Sequence, residues 1–113
     1  MLHALFVCSQ NRLRSPTAES AFADWPGVET ASAGTNNDAM NPLGVDIIGW
    51  ADIIFVMEQV HRRKVADKYQ EHLRNKKIVC LNIPDNYEYL DPELVKVLMT
   101  VVPKHLPPRN KIG

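Results

Sequence analysis

The sequence predicts a three-layer α/β fold in which a four-stranded parallel sheet carries helices on both faces. Four short apolar runs rich in β-branched residues recur along the chain, at 4–7, 28–33, 52–57 and 77–83. Segments with helical spacing lie between and after these runs, at 15–25, 41–50, 58–73 and 91–102. Strands that alternate with helices indicate a parallel sheet. The continuous apolar run IIFV is typical of a strand covered on both faces.

The chain length sets the number of domains. With 113 residues, the chain is long enough for one domain with a real core and too short for two. We expect residues 1–103 to form that domain. The end of the chain, 104–113, is proline-rich and basic, and we predict a loose tail there.

Charge and hydropathy exclude several classes of partner. Thirteen basic residues balance thirteen acidic ones, so net charge does not favour nucleic acid or an anionic membrane. No apolar stretch approaches the ~20 residues needed to cross a bilayer, and the N-terminus lacks the features of a secretory signal. We therefore expect a cytoplasmic protein, in which Cys8 and Cys80 are free thiols.

Three predicted helices begin with a polar residue followed by proline. These pairs are Ser15-Pro16, Asn41-Pro42 and Asp91-Pro92. A short polar side chain before a proline at the first helical position is typical of a helix N-terminus. The pattern predicts that Ser15, Asn41 and Asp91 cap their helices.

The segment from Cys8 to Ser15 combines a thiol with an anion-binding pattern. Cys8 ends the first predicted strand, at the sheet edge where open α/β proteins bind ligands. The following loop and helix start would present backbone N–H groups and the positive end of the helix dipole. Such surroundings favour the thiolate, which is the nucleophilic form of cysteine. Arg14 can grip two oxygens of a phosphate, and Ser15 can donate a hydrogen bond to the sulfur.

We predict that the whole loop contacts the phosphate, with Arg12 pointing outward at the rim. The predicted phosphate-binding residues are Ser9, Gln10, Asn11, Arg12, Leu13, Arg14 and Ser15. A buried, inert cysteine with surface arginines is the alternative for Cys8. The conjunction of cysteine, arginine and Ser-Pro favours the catalytic interpretation, and the chain has no Gly-Lys-Ser/Thr nucleotide loop.

The stretch FVCSQNRLRSPTAE resembles the signature of the low-molecular-weight protein tyrosine phosphatases, Val-Cys-x-x-Asn-x-x-Arg-Ser-Pro-x-Ala-Glu. The matching residues are Val7, Cys8, Asn11, Arg14, Ser15, Pro16, Ala18 and Glu19. The resemblance is to a short bacterial branch of the family, and it continues in order through SAGT and WADIIFVME. It implies a flavodoxin-like sheet, a phosphocysteine intermediate on Cys8, and no metal or other cofactor. It also implies that Asn11 and Ser32 brace the loop by hydrogen bonds.

A carboxylic acid should protonate the leaving group across the cleft from Cys8. Asp91 precedes a proline and an apolar helix, which favours a capping role. Asp85 follows the last strand on the same side of the sheet as Cys8, so we predict that Asp85 is the general acid and Asp91 the fallback. In the family this acid lies in an Asp-Pro-Tyr loop, whose proline is Asn86 here.

Two tyrosines follow the predicted acid. Tyr87 and Tyr89 could form a wall of the substrate cleft and stack on an aromatic group. The alternative, equally favoured, is that one or both cover the edge of the sheet.

Several positions depart from the family pattern. Gln10 replaces the usual glycine, which could alter the backbone angles of the loop or access to the phosphate. Leu13 replaces a second cysteine, and the segment 34–57 is much shorter than usual. The run HRRK at 61–64 is predicted to be a solvated helix face, or less favourably a site for an acidic partner. The histidines show no metal-ligand spacing.

Three functions remain open from the sequence. The first, which we favour, is a phosphotyrosine phosphatase or aryl-phosphate monoesterase that acts on a phosphorylated protein or a small aryl phosphate. Such an enzyme would also bind phosphate, sulfate and vanadate. The second is an arsenate reductase, although only Cys80 is available to resolve an adduct on Cys8. The third is a non-catalytic phospho-ligand binding module.

Overall fold

The computed structural model describes residues 1–108, which form four strands and four helices that alternate along most of the chain. The strands are β1 (Leu2–Cys8), β2 (Val28–Gly34), β3 (Ile53–Val56) and β4 (Lys77–Cys80). The helices are α1 (Arg14–Ala21), α2 (Val45–Trp50), α3 (Gln59–Tyr69) and α4 (Pro92–Val101). Short 3₁₀ turns follow α3 and α4 at Gln70–His72 and Pro103–His105.

The strands form one parallel sheet in the order β2-β1-β3-β4. Val7 of β1 pairs with Val56 of β3, which in turn pairs with Cys80 of β4. The carboxyl ends of all four strands therefore meet at one edge. The predicted four-stranded parallel sheet is confirmed.

Helices cover both faces of this sheet, because side chains along β1 alternate between two cores. Ala4, Phe6 and Cys8 pack in a cluster with residues of α1 and α4. Leu5 and Val7 pack in the opposite cluster with residues of α2 and α3. The three-layer prediction is therefore confirmed. Cys8 belongs to the α1/α4 layer although it ends the strand.

The helix starts follow the capping prediction at only one place. Asp91 caps α4, since its carboxylate accepts from the backbone N–H of Glu93 at 2.9 Å. The prediction for Ser15 was wrong, because α1 already begins at Arg14 and its N-cap position is Leu13. The prediction for Asn41 was also wrong, since α2 begins only at Val45.

The chain beyond α4 remains in contact with the domain. Leu106 is buried in the α1/α4 core, and the carbonyl of Pro107 accepts from the indole Nε1 of Trp25 at 2.9 Å. The first residues of the predicted loose tail are thus packed, because Leu106 removes apolar surface from water. Its last residues, 109–113, lie outside the described residues. Across 1–108, no helix has the length and apolar character needed to span a membrane.

Candidate active site

A small pocket opens at the carboxyl edge of the sheet, between the end of β1 and the start of α1. Its volume is about 110 Å³. The lining residues are Cys8, Ser9, Gln10, Arg12, Leu13, Arg14 and Asp85. The structure therefore brings together the predicted nucleophile, arginine and acid, which lie as much as 77 positions apart in the sequence. We call residues Ser9–Leu13 the cysteine loop.

The carbonyl groups at the start of the cysteine loop all point to one neighbouring segment. The carbonyls of residues 8, 9 and 10 accept from the backbone N–H groups of Thr35, Asn36 and Met40, at 2.9, 3.1 and 3.0 Å. In a trans peptide the N–H points opposite to the carbonyl of the preceding residue. The N–H groups of Ser9, Gln10 and Asn11 are consequently turned away from the 35–40 segment.

Six backbone donors are left free around the thiol. None of the N–H groups of residues 9–14 donates a hydrogen bond to another of residues 1–108. Successive N–H groups next to a helix N-terminus form a concave anion-binding site. The cysteine loop, which lines the same pocket as Cys8, therefore has the free donors needed to bind an oxyanion.

Gly34 allows the cysteine loop to lie this close to β2. A Cβ atom at Gly34 would lie 2.5 Å from both the Ser9 carbonyl oxygen and the Ala39 Cβ, and 3.1 Å from the Asn11 nitrogen. No side chain fits in that space without moving the backbone of the loop. Glycine at this position is thus part of the architecture of the pocket.

Ser15 and Asn11 hold the sulfur of Cys8 from inside the loop. Asn11 Nδ2 donates to Ser15 Oγ at 2.9 Å, and Ser15 Oγ lies 3.0 Å from Cys8 Sγ. Because Ser15 Oγ accepts from the amide, its own proton is free to point at the sulfur. Asn11 also has φ of 57°, a left-handed conformation that asparagine tolerates well. Gln10 has no positive φ, so the backbone of the loop does not require glycine there.

Arg14 is fixed from behind by two acceptors. Its Nη1 donates to Glu58 Oε1 at 2.9 Å and to the carbonyl of Ile83 at 2.7 Å. The Arg14 side chain is only 4% exposed, whereas Nε lies 3.8 Å from Asp85 Oδ1. Nε and Nη2 make no hydrogen bond to any of residues 1–108, so the side of the guanidinium nearest Asp85 can grip an oxyanion.

The N-terminus of α3 joins the two ends of the cysteine loop. Glu58 and His61 form a reciprocal capping box, in which Glu58 accepts from the N–H of His61 and His61 Nδ1 accepts from the N–H of Glu58. Nδ1 accepts, so Nε2 carries the proton and donates to Ser9 Oγ at 2.9 Å. The same carboxylate of Glu58 holds Arg14. One helix cap therefore positions both Ser9 and Arg14.

His61 is neutral at ordinary pH. Its side chain is fully buried, and burial, followed by the charge of Arg14, lowers its pKa from 6.5 to about 4. The neutral ring needs one donor and one acceptor, which the two hydrogen bonds supply. The hydroxyl proton of Ser9 then remains available to an anion in the pocket.

His61 and Glu58 were missed at the sequence level. The prediction of a solvated helix face over 61–64 was wrong for His61, although Arg62, Arg63 and Lys64 are exposed. The three basic neighbours obscured a buried histidine. The signal that could have found it is the spacing of Glu58 and His61, three residues apart at a helix start, which matches a capping box.

Asp85 and the two tyrosines differ in their surroundings. Asp85 lines the pocket and has a side chain that is 66% exposed, whereas Asp91 is occupied in capping α4. Tyr87 packs against the α1/α4 core, which fits the alternative that it covers the sheet. Tyr89 is 51% exposed beside Arg12 and remains a candidate for the cleft wall.

Ser32 lies near the site but does not bond the cysteine loop. Its hydroxyl donates to the carboxylate of Glu19 on α1, and its carbonyl accepts from Asn41 Nδ2 at 2.7 Å. The resemblance implied that both Asn11 and Ser32 brace the loop by hydrogen bonds. Within residues 1–108 only Asn11 makes such a bond, and Ser32 instead links β2 to α1.

The second cysteine lies away from the first. Both cysteines are free, and β1 and β4 are separated by β3, which corresponds to roughly 10 Å between their backbones. Cys8 packs in the α1/α4 core and Cys80 against the α2/α3 core, so the sheet lies between the two side chains. The distance between the two backbones therefore exceeds about 7 Å, which is the largest Cα separation that a disulfide can bridge.

No protein-family model matches the chain, and no curated protein matches it in sequence. Solved structures do match, over nearly the whole chain. The YwlE arginine phosphatase of Geobacillus stearothermophilus is 21% identical, with 93% of each chain covered and a TM-score of 0.75. The low-molecular-weight protein tyrosine phosphatase SP-PTP of Streptococcus pyogenes is 16% identical, with 95% of each chain covered and a TM-score of 0.73.

A third similar structure is the tyrosine phosphatase Wzb of Escherichia coli K30, solved in complex with phosphate. It is 19% identical, with 88% of this chain and 93% of that chain covered and a TM-score of 0.72. The protein described here therefore has the fold of the low-molecular-weight protein tyrosine phosphatases, as the resemblance of the cysteine loop implied.

Proposed function

We propose that the protein is a phosphatase that hydrolyses phosphotyrosine or another aryl phosphate through a phosphocysteine on Cys8. The observation that carries this proposal is the set of six free N–H groups, from residues 9–14, around the Cys8 thiol. Donors fixed in advance around a phosphoryl group stabilise the charge of the transition state at no cost of reorganisation.

In the first step, the Cys8 thiolate attacks phosphorus. The S–P bond forms while the bond from phosphorus to the phenolic oxygen breaks. The loop N–H groups and the free nitrogens of Arg14 bind the equatorial oxygens. Asp85, exposed at the rim near Arg14, gives its proton to the leaving oxygen.

In the second step, water replaces the thiolate on phosphorus. Asp85 takes a proton from the water as the new P–O bond forms, and the S–P bond breaks. Ser15, whose hydroxyl lies 3.0 Å from the sulfur, donates a hydrogen bond to the departing thiolate. Inorganic phosphate then leaves, and the starting protonation states are restored.

The rim charge favours an aromatic leaving group. Among similar structures, YwlE is described as an arginine phosphatase and Wzb as a tyrosine phosphatase. Arg12 is exposed at the rim of the pocket and would repel the cationic guanidinium of phosphoarginine. A neutral phenyl ring is not repelled by Arg12 and can stack on the plane of its guanidinium.

The test is steady-state hydrolysis of phenyl phosphate and p-nitrophenyl phosphate by the wild type, Cys8→Ser and Asp85→Asn. We expect Cys8→Ser to lose turnover and Asp85→Asn to lose about 10²- to 10⁴-fold in kcat with phenyl phosphate. The loss should be smaller with p-nitrophenyl phosphate, because its leaving group needs less protonation. Asp91→Asn is the matched control, since asparagine also caps a helix.

Three results would contradict this proposal or one of its assignments. Vanadate binding without turnover by the wild type would make the protein a phospho-ligand binding module. A loss in Asp91→Asn instead of Asp85→Asn would overturn the choice of acid. Arsenate-dependent consumption of a thiol reductant would indicate an arsenate reductase.

A further inference from the structure

A second groove lies directly beside the pocket of Cys8. Its volume is about 440 Å³, four times that of the pocket at about 110 Å³. Arg12 lines both of them, and we call its side chain the ridge. A phosphorylated aromatic side chain in the pocket would therefore place the adjoining part of its own molecule at the entrance of this groove.

The groove has apolar walls that are exposed to solvent. Met40 is 72% exposed and Tyr89 is 51% exposed, and Pro16 completes the apolar lining. Large apolar side chains grouped on the surface mark binding sites more often than isolated ones do. Both Met40 and Tyr89 line one groove, which shares Arg12 with the pocket of Cys8.

The ridge carries a cation that has no partner within residues 1–108. The Arg12 side chain makes no ion pair or hydrogen bond with any of residues 1–108, in contrast to Arg14. Glu19, the acidic residue that lines the groove, is engaged by the Ser32 hydroxyl. The groove thus combines apolar walls with an unpaired guanidinium at its mouth, which complements a carboxylate beside an apolar group.

The turn that presents Tyr89 is strained and tied to the cysteine loop. Leu90 has φ of 59°, a left-handed conformation that is unfavourable for a residue with a side chain. It is held there by its N–H, which donates to Thr17 Oγ1 at 2.8 Å. Thr17 Oγ1 in turn donates to the carbonyl of Leu13 at 2.6 Å. Strained backbone is retained preferentially at functional sites.

Resting on the proposed phosphatase function, we propose that this groove binds the polypeptide next to the phosphotyrosine of a protein substrate. It takes a bulky apolar residue against Met40 and Tyr89, while Arg12 pairs with an acidic residue beside it. Neighbouring residues of a chain are 3.8 Å apart at Cα, so a residue adjacent to the phosphotyrosine reaches across the ridge. A free aryl phosphate fills the pocket and leaves the groove unused.

The test compares kcat/KM for phenyl phosphate with kcat/KM for a matched series of phosphotyrosine peptides. The peptides carry Leu or Ala next to the phosphotyrosine, on either side, and Asp or Lys one position further. We expect the peptide with Leu and Asp to exceed the peptide with Ala and Lys by at least about 10-fold. Met40→Ser should reduce the preference for Leu over Ala, and Arg12→Ala should reduce the preference for Asp over Lys.

Two control variants change residues that do not line the groove. Met99→Ser changes a partly exposed methionine near the end of α4, and Arg74→Ala changes an exposed arginine just before β4. Both should keep the peptide preferences of the wild type. These controls separate a local effect from a general loss of apolar surface or charge.

Equal kcat/KM for all peptides would overturn the groove proposal while leaving the phosphatase intact. The groove proposal also fails if Arg12→Ala and Met40→Ser lower phenyl phosphate and peptide turnover by the same factor. If the wild type hydrolyses none of the compounds, the proposed function fails. In that case the Kd values of the same peptides, labelled and measured by fluorescence anisotropy, test the groove. Tighter binding of the peptide with Leu and Asp would support the groove, and equal Kd values would refute it.

Discussion

His61 Nε2 lies 2.9 Å from Ser9 Oγ, so the first turn of α3 is bonded to the residue that directly follows Cys8, the proposed nucleophile. The same turn holds Arg14 through Glu58. The geometry of the candidate site thus depends on a helix cap that contributes no atom to the reaction. His61 is a positioning residue in this scheme, and its removal should affect catalysis without removing any reacting group.

His61→Ala should lower kcat/KM for an aryl phosphate by about 10- to 100-fold, because small displacements of positioning groups have effects of this size. The free energy of unfolding should also fall by about 1–3 kcal/mol, since buried polar groups lose their partners. His72→Ala is the matched control, because His72 is exposed on the turn after α3. Steady-state kinetics and urea denaturation measure the two effects. Equal kinetics for both variants would refute the positioning role.

The lowered pKa of His61 predicts that stability depends on pH. The unfolded chain binds a proton on this ring below pH 6.5, whereas the folded protein resists binding it until about pH 4. The stability associated with the neutral ring is present above pH 6.5 and is lost as the pH falls toward 4, by about 3 kcal/mol in total. Urea unfolding from pH 4 to 7 should show this slope in the wild type. His61→Gln should flatten it, and an unchanged slope in that variant would assign the effect to other groups.

Gly34→Ala should displace the cysteine loop. The new methyl group would meet the Ser9 carbonyl and Ala39 at 2.5 Å, which predicts a loss of about 1–3 kcal/mol in stability and a lower affinity for vanadate. Gly49→Ala is the control and should be at least as stable as the wild type. Nothing lies within 4 Å of the added Cβ, and alanine favours the helix more than glycine does. Thermal melts and inhibition constants distinguish the two. A Gly34→Ala variant with wild-type vanadate affinity would show that the loop tolerates the displacement.

Oxidation should not join the two cysteines. Cys8 and Cys80 lie on opposite faces of the sheet, two strands apart, so a disulfide would require the fold to open. Treatment with hydrogen peroxide should yield oxidised Cys8 without the loss of two hydrogens that an intramolecular disulfide causes. Intact-mass spectrometry under non-reducing conditions, with Cys80→Ser as the control, makes this measurement. An intramolecular disulfide in the folded wild type would contradict the arrangement.

The features that could be predicted from the sequence depend on neighbouring residues and on the order of strands and helices along the chain. Cys8 at a strand end, the parallel sheet and the cap at Asp91 all follow from neighbouring residues and from the alternation of elements. The contact between the Ser15 hydroxyl and the Cys8 sulfur was also predicted, whereas the capping role of Ser15 was wrong because α1 begins one residue earlier, at Arg14. The first residue of a helix is set by backbone hydrogen bonds, which the pattern of side chains locates only to within one or two residues.

The residues that sequence reasoning missed act across the fold. His61 stands in a run of basic residues, and only the packing of α3 against the cysteine loop reveals that it is buried. Gly34 has an ordinary place at the end of a strand, and its need for a bare Cα comes from a loop 25 positions earlier in the chain. The departure at Gln10 has a local explanation instead, since the left-handed residue of the loop is Asn11 and not Gln10.

The free main-chain donors of the cysteine loop determine how the affinity of the pocket for an anion depends on pH. Amide N–H groups and a guanidinium keep their protons throughout the range in which proteins stay folded. Recognition of an oxyanion by this set of donors therefore follows the ionisation of the anion and not that of the donors. Sulfate, which is a dianion across that whole range, is then the natural reference ligand. His61, which donates to Ser9 and whose pKa is lowered to about 4, is then the group of the site whose protonation should change the affinity for sulfate at low pH.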